Sequence, residues 1–133
     1  MSENGFTLIE LISTLVIISV LAAMLIPRYI DAESSARMRG LDMGVAEMNG
    51  RETVTWAKVK LSDIGYPPPP ADGDGPLWTQ LKADPGTNLG ADYDWPAGEP
   101  NIGGGKLRFK KEVEAQLLRT GSTTETPGKW RRQ

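Results

Sequence analysis

An apolar run close to the amino terminus limits what this chain can fold into more than any other feature. From Phe6 to Ile26 there are 21 residues, and Glu10 is the one charged side chain among them. At about 1.5 Å rise per residue a helix of this length spans about 31 Å, the thickness of a bilayer's hydrocarbon core. A carboxylate in such a segment costs about 2.5–3.5 kcal/mol on insertion scales, so Glu10 calls for a partner or a purpose.

Three readings of Glu10 compete. In a plain membrane anchor it lies near the surface and snorkels or stays protonated. In a secretory signal peptide, Val20-Leu21-Ala22 offers small residues for a signal peptidase, but Met1-Ser2-Glu3-Asn4 lacks the basic n-region. In the third reading the chain is cut after Gly5, and Phe6 becomes a new, positively charged amino terminus. Glu10 then neutralises that amine, its own or a neighbour's, in a low-dielectric site. Only this last reading gives the charge a partner.

Gly5-Phe6-Thr7-Leu8-Ile9-Glu10, the apolar run, and then Ile26-Pro27-Arg28-Tyr29 resemble the amino-terminal region of type IV pilins and of the pseudopilins of type II secretion. The resemblance covers roughly the first third of the chain. It implies cleavage between Gly5 and Phe6 by a prepilin peptidase, methylation of the Phe6 amine, and pairing of Glu10 with the amino terminus of an adjacent subunit during assembly. It also implies an inner-membrane assembly platform as a partner. Leaders of that family usually carry Lys or Arg, whereas Ser2-Glu3-Asn4 is acidic.

The chain has 133 residues, enough for one small domain besides the anchor, and a net charge of −2. All 15 Lys and Arg lie beyond Pro27, interspersed with acids, so nothing suggests a general nucleic-acid surface. There is no cysteine and no histidine. The head therefore has no disulfide, and the commonest metal ligands, general bases and covalent nucleophiles are missing. No enzymatic role is expected.

Beyond the membrane segment the helix is expected to continue, kinked or loosened at Pro27. Leu41, Val45, Met48, Trp56 and Val59 fall at helical spacing, with Glu52 a polar interruption, and Arg39, Asp42, Glu47, Arg51 and Lys58 face the other way. Gly40 and Gly44 have small-xxx-small spacing, but tolerated helix glycines explain them better than a dimer motif. The helix should end near Ser62-Asp63-Ile64-Gly65. Tyr66 to Pro76 is rich in proline and Asp-Gly pairs and reads as a rigid connector. Leu77 to Lys82 suggests a helical turn, Asp84-Pro85-Gly86 a chain reversal, and Gly90 to Trp95 a short strand or loop. Lys106 to Lys110 and Val113 to Arg119 alternate as strands of a hairpin reversing at Lys111-Glu112, with a helix over 110–119 as the alternative. Lys129 to Arg132 is expected as a last edge strand. Trp56, Trp78, Tyr93, Trp95 and Phe109 are the expected aromatic core.

The fold class that follows is α+β: a long N-terminal helix, half membrane-spanning and half amphipathic, packed on a small antiparallel sheet with irregular loops. The expected parts are a leader at 1–5, a transmembrane or filament-core helix at 6–26, its amphipathic continuation at 27–65, and a small globular head at 66–133. Asp72 and Asp74 with Asp92, Asp94 and Glu99 offer oxygen ligands for calcium, but an EF-hand loop would want Glu where Ala83 stands, and an ordinary acidic turn accounts for them better. No metal is expected. Lys106, Arg108, Lys110, Lys111, Lys129, Arg131 and Arg132 read as a solvated basic face and not a nucleic-acid site.

The function these features imply is structural. The chain would wait as a single-pass inner-membrane protein and then join a homopolymeric or mixed filament, an extracellular pilus or a periplasmic pseudopilus. The rival from another class is a monomeric membrane-anchored binding domain.

Overall fold

A computed structural model describes residues 5–62, 65–66 and 74–133. The chain forms two compact units, Met1–Ala36 and Arg37–Gln133. Helix α1 (Leu8–Leu61) begins in the first and ends in the second, and Pro27 lies inside it. In the first unit none of the described residues is buried, and every large apolar side chain from Leu8 to Ile30 is exposed. Among the described residues of this unit nothing buries those side chains, so the segment has no core of its own there.

The second unit is an antiparallel meander resting on the later part of α1. Strands β1 (Tyr93–Asp94), β2 (Gly104–Phe109), β3 (Val113–Thr120) and β4 (Lys129–Arg132) pair in chain order. Helix α2 (Asp74–Ala83) precedes them and is longer than the single turn expected. The hairpin is where alternation puts it, with Leu107 opposite Ala115 and Phe109 opposite Val113. The helical alternative over 110–119 is therefore excluded. The reversal takes three residues, Lys110 to Glu112, and Glu112 N–H donates to Phe109 C=O at 3.1 Å. Lys110 and Lys111 both adopt positive φ, 50° and 60°, as a turn matching the strand twist requires.

Leu41, Met48, Leu81, Leu107, Leu117 and Trp130 form the buried cluster, with Trp78, Tyr93, Trp95 and Phe109 packed against it. Each such side chain contributes about 1.5–3 kcal/mol over its exposed state. Trp130, read from sequence only as part of an edge strand, is the largest fully buried side chain. Trp56 is outside this cluster; its indole N–H donates to Thr123 C=O at 2.8 Å and pins the loop before β4.

Gly40 and Gly44 have a definite task inside the subunit. A Cβ on Gly40 would stand 2.5 Å from the Phe109 ring, and one on Gly44 2.7 Å from Tyr93. The two rings lie opposite each other across β1 and β2, 5.1 Å apart, and the glycines let the helix settle onto them. At Trp130 the free edge of β4 is also occupied. The Asn49 side chain donates to Trp130 C=O at 3.0 Å and accepts from Trp130 N–H at 2.7 Å.

Asp42, Glu47, Arg51 and Lys58 flank the outer line of α1, and Arg39, also exposed, stands one turn before Met43. Arg51 bonds Glu47 and the carbonyls of Gly86 and Asn88, Lys58 bonds Asp84, and Asp42 accepts from Arg132. The outermost line is uncharged from Met43 to Leu61.

Candidate functional site

At the amino-terminal end, Thr7 precedes the first residue of α1 and Glu10 is the third residue inside it. Thr7 N–H and Oγ1–H donate to Glu10 Oε2 at 2.9 and 2.7 Å, and Glu10 N–H lies 3.3 Å from Thr7 Oγ1. This is a capping box, in which hydroxyl and carboxylate reciprocally satisfy backbone donors that the first turn leaves unpaired. The carboxylate also sits at the positive end of the helix. The spacing Thr7-x-x-Glu10 carries this signature in the sequence, although a search for a distant partner passes over it. Glu10 therefore has a partner within its own helical turn. Phe6, 79% exposed, stands one residue before the cap, and Gly5 is exposed beside it, so their shared bond is open to solvent.

A second charged constellation lies in the head. Arg119, on β3, is 6% exposed and Glu52, on α1, is fully buried. Arg119 Nε–H donates to Glu52 Oε1, and Nη2 donates to Glu52 Oε2 at 3.2 Å and to Asp74 Oδ1 at 2.7 Å. Nη1 donates to Asp74 Oδ2 at 2.9 Å and to Ile102 C=O at 3.1 Å. These contacts use all five guanidinium N–H donors. Two carboxylates against one guanidinium leave an excess negative charge. Neutral donors answer it: Trp130 Nε1–H to Glu52 at 3.0 Å, and Ser122 N–H and Oγ–H to Asp74 at 2.7 and 2.9 Å. Asp74 also opens α2, where the helix dipole favours an anion. Burial alone would raise the Asp74 carboxyl, but the bonds from Arg119 and Ser122 outweigh it and hold it below the usual carboxylate range. Burial would likewise lower Arg119, but Asp74 and Glu52 raise it above the ordinary arginine value.

Gly121 and Gly128 bring the loop before β4 directly against this cluster. A Cβ would stand 2.6 Å from Asp74 Oδ2 at the first and 2.7 Å from Glu52 Oε2 at the second. The cluster ties α1, α2, β3 and that loop together where a disulfide is absent. Its role is structural, and Glu52, the apparent interruption of the apolar stripe, is its anchor on α1.

The described candidate calcium ligands are not brought together. Asp72 lies outside the described residues. Asp74 is committed to Arg119, and Asp94 to Arg108, whose hydrogen bond lowers the Asp94 carboxyl. Asp92 instead stands close enough to Tyr93 to add to the effect of burial in raising that phenol. Among the described residues no group of three or more acidic side chains could hold a metal ion. Much of the basic face is paired within the chain, Lys106 with Glu114 and Arg108 with Asp94.

Residues 1–26 match the family model of the prokaryotic N-terminal methylation motif. The chain is also 29% identical over 83 residues to the type IV narrow pilus major component of Thermus thermophilus, an alignment covering 59% of this chain and 72% of that protein. No solved structure matches this chain. Motif and relative together support a relation of the chain to type IV pilins and pseudopilins. Its first helix is long and apolar enough to cross a membrane, with that stretch unburied, which is consistent with membrane anchoring.

Proposed function

We propose that this chain is the structural subunit of a type IV pilus-like filament. In this reading a prepilin peptidase cuts between Gly5 and Phe6, the Phe6 amine is methylated, and an inner-membrane platform draws the subunit from the membrane into the fibre. The observation that carries it is an apolar first half of α1 whose large side chains are all exposed, with one carboxylate held in a capping box by Thr7. In lipid that helix is already solvated; in a fibre it exchanges lipid for identical neighbours. The capped Glu10 is then available to pair with the Phe6 amine of another subunit and so set axial register. A match to a pilus component supports an extracellular pilus over a type II secretion pseudopilus. A monomeric anchored binding domain would leave Glu10 with its capping role alone and would not use a freed Phe6 amine.

Intact-mass analysis of the protein from its native membrane should show loss of Met1 to Gly5 and one added methyl group. Glu10→Ala should insert normally yet give few or no filaments. Filaments of normal number and length in that variant would overturn the charge pairing, and recovery of only the unprocessed chain would overturn the filament reading.

A further inference from the structure

The reversal between β2 and β3 holds two lysines in a backbone conformation that rarely accepts them. Lys110 and Lys111 have φ of 50° and 60°, a region that glycine and asparagine occupy at far lower cost. Such strain clusters at sites that serve something beyond the turn itself. Both side chains are exposed, and Lys110 Nζ lies 5.5 Å from the Phe109 ring centroid. The reversal also has a definite place on the head. Arg37 bonds Glu112, Gly40 lies against Phe109 and Gly44 against Tyr93, whereas Asn49 and Glu52 meet Trp130 and Arg119. It therefore stands at the end of the head where α1 enters, and exposed Arg39 belongs to the same end. The acids there are Glu112, which answers Arg37, Asp94, which answers Arg108 and feels Lys111, and Asp92. Among the described residues Arg39, Lys110 and Lys111 have no ion pair, so this end carries an excess of positive charge.

We propose that Lys110, Lys111 and Arg39 rest on the anionic headgroups of the membrane that holds the apolar half of α1. The inference rests on the reading of that half as a membrane anchor and adds to it a lipid contact made by the head. Ten residues, 27–36, separate the apolar run from Arg37. At helical rise they extend about 15 Å. The headgroup layer takes up about 5–8 Å of that length, and the Debye length at physiological salt is about 8 Å. Cations at this end of the head are thus within the field of an anionic surface. The intervening stretch supplies no attraction of its own, since Arg28 is outnumbered by Asp31 and Glu33. Lysine suits the task, because its compact charge on a flexible stem meets scattered phosphates without a fixed geometry. An Asn-Gly pair would satisfy the turn and offer a phosphate no charge. The contact belongs to the unassembled subunit, and extraction into a fibre breaks it.

Amine acetylation read by mass spectrometry tests this on the full chain, reconstituted in phosphatidylcholine vesicles with or without a third of the lipid replaced by phosphatidylglycerol. Lys110 and Lys111 should react about threefold or more slowly in the anionic vesicles, and high salt should restore their rates. Lys129, exposed at the opposite end of the sheet, should keep its rate. Equal rates for Lys110 and Lys111 in the two lipids, or an equal fall at Lys129, would overturn the proposal. Slowing in both lipids that grows with the number of chains per vesicle would overturn it too, by assigning the lysines to a second copy. Lys110→Asn combined with Lys111→Gly should raise the thermal midpoint of the head in zwitterionic vesicles. The same change should remove the further rise that anionic lipid gives the unmodified chain. A lower midpoint, or a lipid-dependent rise that survives, would overturn the role of the two lysines. A chain that carbonate washes off the vesicles would instead overturn the membrane reading beneath it.

Discussion

Two glutamates stand on α1, one in each compact unit, and their surroundings differ. Glu52 is fully buried and bound by Arg119 and Trp130, groups far away in sequence. Glu10 lies in an exposed apolar segment and, among the described residues, is bound by Thr7, three residues away. The first partnership forms when the head folds and cannot be exchanged without dismantling it. The second belongs to a single helical turn and can be traded for another partner at small cost, about 0.5–2 kcal/mol for a lost cap. A carboxylate in an apolar setting is a fixture in one region and an available connection in the other.

The strongest way to break this contrast is to remove the guanidinium. Arg119→Met leaves two buried carboxylates unpaired and should destabilise the head by about 3–5 kcal/mol in urea unfolding followed by tryptophan fluorescence. Glu10→Ala should change the same midpoint by less than about 0.5 kcal/mol. Comparable losses from both would show that Glu10 also supports the head. Acid tests the same cluster more gently. Asp74 is lowered in the folded state, so its contribution is present above the unfolded value of about 3.9 and is lost as pH falls through the lower folded value. Stability should be flat from pH 7 to about 5 and decline below about 4. Asp74→Asn should start lower and decline less steeply, and an unchanged acid slope would exclude Asp74 as a source of the decline.

The glycines give the smallest and most local effect. Gly44→Ala gains about 1 kcal/mol of helix propensity but collides with Tyr93 and Leu107, for a net loss of about 1–2 kcal/mol. Gly50→Ala meets no neighbour and should stabilise the free subunit by about 1 kcal/mol. Thermal melts of the two variants shifting in the same direction would contradict the packing described.

The regions also differ in how much of them can be read from sequence. The apolar segment, its Gly-Phe junction and the capping-box spacing are local patterns, and the strands of the hairpin show in the alternation from Lys106 to Arg119. The head's ionic cluster was not legible. Glu52 looks like a fault in an apolar stripe because its partners stand 67 and 78 residues away, at Arg119 and Trp130. Periodicity reports which face is buried and says nothing about what a distant strand brings to it. Trp130 escaped for the same reason, since a short terminal strand flanked by cations reads as surface until the helix beneath it is placed. The apolar outer line on α1 was hidden because charges on both flanks blend into an apparently polar face.

The two hydrogen bonds between Asn49 and Trp130 have a consequence beyond the fold of one subunit. An edge strand with free N–H and C=O groups is a template, and identical chains held side by side at high density would extend one another's sheets through it. Asn49 occupies those groups at Trp130 with its own amide, which no incoming strand can displace without breaking two bonds in the helix–sheet contact. Strand addition at the centre of β4 is thereby blocked from within the subunit, by a side chain of the helix it rests on.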